Sequence, residues 1–86
     1  MPELSRFFGI VIRMFYDDHS PPHFHARYGW HHAVISMPGL TVLKGSLPPR
    51  ALGLVMEGAA QHRGELWEDW ALARDKAPLK AIPPLE

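Results

Sequence analysis

"GSLPPRAL" (residues 45–52) is the point at which the apolar pattern of this chain changes its period. Downstream, Leu52, Val55, Met56, Ala59, Leu66, Trp70 and Ala73 recur at three- and four-residue spacing, the spacing of one helix face. A helix is expected over about 48–75, with Ser46 as its N-cap and the prolines in its first turn. Gly58 and Gly64 each cost about 1 kcal/mol relative to alanine inside a helix. A break near "HRG" (62–64) is therefore expected, which leaves one long helix or two. The proline-rich tail, residues 76–86, cannot continue the helix. Leu79, Ile82 and Leu85 would hold it extended against the body or a partner.

Upstream the period is two. "FFGIVIRMFY" (7–16) reads as a strand with Phe8, Ile10, Ile12, Met14 and Tyr16 on one face. Residues 17–22, with their proline pair, read as a loop. Residues 23–29, 32–37 and 40–45 read as three further strands joined by short turns. The expectation is one α+β domain, residues 1–86. A four-stranded antiparallel sheet within 7–45 is followed by a long C-terminal helix, broken or not, in two layers. Phe24, Ala26 and Tyr28 should then face the helix. His23, His25 and Arg27 should share the open face, with His19 nearby in the loop. Trp67 and Trp70 should both cover the core.

Composition narrows the function classes. The 86 residues contain no cysteine, which excludes disulfides, thiolate metal sites and a cysteine nucleophile. Formal net charge is zero, so the chain as a whole carries no basic signature for nucleic acid. The halves differ: residues 1–50 hold five Lys/Arg against three acids, and residues 51–86 hold four against six. An anionic ligand would favour the first half. No apolar run is long enough to cross a membrane, and "MPELSR" has no signal-peptide core, so a cytoplasmic location is expected.

"DDHSPPHFHARYGWHH" (17–32) gathers five of the six histidines. "RFFGIVIRMFY", "DDHSPPHFHARYG", "GSLPPRAL", "LWEDWALAR" and "IPPL", in that order, resemble the bacterial domain-of-unknown-function family DUF4160 over nearly the whole chain. The positions matching the family's distinctive residues are Asp18, His19, Pro22, His23, Phe24, His25, Pro49 and Arg50. The resemblance implies one member of a small two-protein, toxin–antitoxin-like module whose partner is often a DUF2442 protein. Two departures stand out. "GWHH" replaces acidic or small residues, and Gly58 replaces a bulky one.

Three functions fit the histidine cluster. The first is metal-independent RNA cleavage, in which His23 and His25 act as acid and base. Arg27, Arg13 or Arg50 would then stabilise the phosphorane. The second is a non-enzymatic module whose histidine face docks a small cognate protein or a second copy, with His19, Asp18 and Tyr28 as binding residues alongside Arg13 and Arg50. The third is a zinc protein with His19, His23 and His25 as ligands and Asp17 or Asp18 in support. Arg50 opposes the helix dipole at the start of the helix, which suits a carboxylate or phosphate ligand or a solvated arginine equally.

Overall fold

The computed structural model describes residues 3–16 and 21–84. Five strands and two helices follow one another: β1 (Glu3–Phe7), β2 (Ile10–Arg13), β3 (His23–Tyr28), β4 (His31–Ser36), β5 (Thr41–Ser46), α1 (Pro49–Gln61) and α2 (Arg63–Arg74). The strands form a single meander in the order β1-β2-β3-β4-β5, every neighbour antiparallel.

The fifth strand corrects the expected sheet. Residues 7–16 are not one strand, because the chain reverses at Phe8 and Gly9, with φ of 49° and 81°. Phe7 and Ile10 pair on either side of this two-residue turn. Positive φ at both central positions matches the twist of an antiparallel hairpin. Gly9 adopts it without strain, while Phe8, a bulky residue, adopts it at a cost.

One sheet face carries Phe7, Ile10, Ile12, Phe24, Ala26 and Ile35, all buried. Ala51, Val55 and Ala59 of α1 and Leu66, Trp70 and Ala73 of α2 complete the core. The alanines let the helices lie close to the sheet. Burying a side chain the size of Phe24 contributes about 2–3 kcal/mol. Trp67 does not join this core as expected: it is exposed, because only Trp70 falls in line with Leu66 and Ala73.

Helix initiation also differs from expectation. Ser46 ends β5 and does not cap α1. Pro48 holds the N-cap position without a side-chain bond, and Pro49 opens the helix, where its missing N–H costs nothing. The helix expected over 48–75 is two helices, broken inside the "HRG" segment. His62 leaves helical geometry at φ −116° and ψ 30°. Its ring Nδ1–H donates to Glu65 Oε1 at 2.6 Å, stabilising the first turn of α2.

The tail returns to the body. Ile82 is buried and its N–H donates to Leu4 O at 2.7 Å, occupying part of the β1 edge. The Lys80 N–H donates to Asp69 Oδ1 at 2.8 Å. Leu85 lies outside the described residues. No helix among the described residues is long and apolar enough to cross a membrane.

Candidate functional site: the open sheet face

Strand register builds two rows across the face turned away from the helices. In one row Arg6 lies opposite Val11, Val11 opposite Arg27, Arg27 opposite His32 and His32 opposite Ser46. In the other, Glu3 lies opposite Arg13, Arg13 opposite His25, His25 opposite Val34 and Val34 opposite Lys44. Side chains opposed in this way stand about 4.5–5.5 Å apart at Cβ. Glu3 is the one acid in these rows, and Arg6 binds it at 2.8 Å. That hydrogen bond, with a smaller pull from the charge of Arg13, holds the Glu3 carboxyl below its ordinary value. Arg13, Arg27 and Lys44 form no ion pair among the described residues. Arg27 Nε instead donates to Gly29 O at 3.0 Å. Among the described residues the face therefore carries cations in excess although the chain is neutral.

Within the rows His25 and His32 are in contact. Nδ1 of His25 and Nε2 of His32 are 3.1 Å apart, and the rings stack with centroids 5.3 Å apart. One nitrogen donates and the other accepts, so the bond holds one proton between two imidazoles. His25 is half-buried, with the edge of Phe15 against it at 4.2 Å between ring centroids. His32 is exposed. An open depression of about 280 Å³ is lined by Val11, Arg13, Phe15, His25, Arg27, Trp30 and His32.

His23 departs from its expected place. Alternation puts it on the open face with His25, but it is buried where the sheet end meets α2. Its ring lies 5.3 Å from that of His25 and 5.4 Å from that of Trp70. Its Nδ1–H donates to Pro21 O at 2.6 Å. On the open face the imidazole beside His25 that reaches solvent is His32, while His25 is half-buried and its Nε2 is buried. "GWHH" was the signal for His32.

The other expected residues divide. Arg13 and Arg27 join the open face. Tyr28 and Arg50 lie together in a separate depression on the helix side. Asp17, Asp18 and His19 lie outside the described residues, and with them the expected ligand set His19, His23 and His25. Among the described residues no three His, Asp or Glu side chains converge where a metal ion could be held.

A family model described as "Domain of unknown function (DUF4160)" matches residues 9–71. Searches of curated proteins and of solved structures found no match.

Proposed function

From the premise that the chain belongs to the DUF4160 family, we propose that it is the RNA-directed member of a small two-protein module and cleaves single-stranded RNA on its open sheet face. The observation that carries this reading is the His25–His32 hydrogen bond, set between Arg13 and Arg27 on a face with excess positive charge. Arginines hold phosphate oxygens through planar, forked donors. Phe15 and Trp30 offer rings on which bases stack.

The chemistry follows from the pair. With Nε2 of His32 engaged by His25, Nδ1 is the nitrogen this exposed ring presents to a ligand. It takes the proton of a 2′-hydroxyl as that oxygen bonds to phosphorus. The bond from phosphorus to the 5′ oxygen breaks, and that oxygen takes a proton back from the pair. His25 orients His32 and shares its proton, so the pair starts and ends with the same proton count. Arg13 and Arg27 offset the charge gathering on the phosphorane. The local excess of cations compensates for the zero net charge of the chain.

The test uses untagged protein with a fluorescent single-stranded RNA, scored for binding at low salt and for cleavage. Wild-type protein should do both, and His32→Ala should bind but not cleave. Binding without cleavage in the wild type reduces the function to a non-enzymatic binding module. Absence of RNA binding overturns the reading in favour of a protein-docking face.

A further inference from the structure

The meander brings the Phe8–Gly9 turn, the Gly29–Trp30 turn and the exit of β5 into α1 to the same end of the sheet. Three exposed aromatic side chains collect there: Phe8, Tyr28 and Trp30. Trp30, 90% exposed, borders the depression of the open face. Tyr28 follows Arg27 in β3 and so points to the opposite face. It lines a second depression, of about 230 Å³, with Phe8, Ile10, Pro48, Arg50 and Leu54. The two depressions lie back to back across one end of the sheet.

The turn backbone does not call for a ring at position 8, where Phe8 meets Phe7 edge-on with centroids 6.4 Å apart. A turn with φ of 49° and 81° favours Asn-Gly, yet position 8 holds a phenylalanine that is 61% exposed. A Cβ on Gly9 would lie 3.3 Å from Tyr28 Cε1, so the Tyr28 ring rests against this turn. Phe8 and Tyr28 thus wall the depression, and no acid lines it. Arg50 is exposed and forms no ion pair among the described residues.

We propose that the Phe8–Tyr28 depression is a stacking subsite for a nucleobase of a single-stranded RNA whose backbone crosses the open face, with Arg50 on the adjoining phosphate. This inference rests on the RNA reading above. Aromatic walls with a cation and no acid complement a flat base attached to an anion, and the shared sheet end makes the path continuous with Trp30 and Arg27. Stacking on an aromatic side chain tolerates any base, so the subsite adds affinity without fixing sequence.

The experiment compares a trinucleotide with a ten-nucleotide RNA by fluorescence anisotropy, using wild type, Phe8→Asn and Arg50→Ala. Asparagine is the residue the turn prefers, so Phe8→Asn should melt no lower than wild type. The longer RNA should bind the wild type more tightly. Each substitution should cut that advantage, Phe8→Asn by roughly 5- to 100-fold, the usual scale of one stacked base. If both variants keep the full length advantage while Arg13→Ala weakens RNA binding, the subsite is refuted and the RNA reading stands. If wild type binds neither RNA, both fall. If RNA binding is unchanged but a complex with a protein partner is lost, the depression is a protein interface and the assignment is wrong.

Discussion

His25 and His32 meet on a diagonal: in the ladder His25 stands opposite Val34 and His32 opposite Arg27, yet their ring nitrogens are 3.1 Å apart. His23, two residues before His25, donates its Nδ1–H to Pro21 O and sets its ring at a tilt against Trp70. The two imidazoles beside His25 therefore have different duties, and substitution should separate them. His32→Ala should leave the melting temperature nearly unchanged and lower RNA cleavage by about 10²-fold or more, the scale of a lost general base. His23→Ala removes a buried ring and its hydrogen bond and should cost about 1–3 kcal/mol of stability. Thermal melts and cleavage rates on the same preparations check both. A His23→Ala protein that is as stable as wild type but inactive would return the catalytic role to His23.

The excess cations of the open face make a second expectation. Arg13→Ala and Arg27→Ala should each weaken RNA binding and reduce its dependence on salt. Each single-strand phosphate contact contributes roughly 0.7 to the slope of log affinity against log salt. Glu3→Gln should act in the opposite direction by releasing Arg6 from its ion pair. Titrations at several salt concentrations decide this. Unaltered slopes in both arginine variants would remove the open face as the binding surface.

The parts of this architecture that were legible in the sequence are those set by local periodicity. The change at 45–52 located the passage from sheet to helix, and the glycines around "HRG" marked the helix break. The β1–β2 hairpin was hidden because its turn holds Phe8, whose aromatic ring continues the strand pattern, and Gly9 alone marked the reversal. The burial of His23 was hidden because alternation ignores how a strand end meets a helix in the next layer. The His25–His32 contact needs the register of two strands, which no single segment encodes. Both members were nevertheless visible as residues of one histidine-rich stretch.

Gly45 ties β5 to the site. Its φ is 76°, and a Cβ there would lie 2.1 Å from the carbonyl oxygen of His32. Neither the conformation nor the space admits a side chain, and the obstructing atom is backbone, which cannot swing away. Gly45→Ala should therefore cost about 2–4 kcal/mol, combining left-handed strain with displacement of β5. Because the clash falls on His32 itself, any folded Gly45→Ala protein should also lose activity. Gly53, with open space around its Cβ position in α1, is the control, and Gly53→Ala should stabilise by about 0.5–1 kcal/mol. Denaturant melts of the two variants measure the contrast, and equal stabilities would show that β5 moves without cost.

Asp69 makes stability depend on pH in an unusual direction. It is 1% exposed in α2; Oδ1 accepts the Lys80 N–H at 2.8 Å, and Oδ2 is buried with no partner among the described residues. Burial raises its pKa above the ordinary 3.8; the Lys80 N–H opposes this, and Glu68 and Glu65 add to it. A folded-state pKa above the unfolded value means that the native protein binds this proton more tightly than the unfolded chain does. This group's contribution to stability therefore increases as pH falls through the folded value, and is complete below the unfolded one. At neutral pH the buried charge is a cost. Asp69→Asn keeps an oxygen for Lys80 and removes the charge. The variant should melt above wild type at pH 7, and the gap should narrow as the pH approaches 3.8. Taking the difference between the two proteins at each pH cancels the titration of all other carboxylates. A difference of either sign between the two proteins that stays constant from pH 7 down to 3.8 would show that the charge of Asp69 is not a cost in the fold, because the new amide group does not titrate.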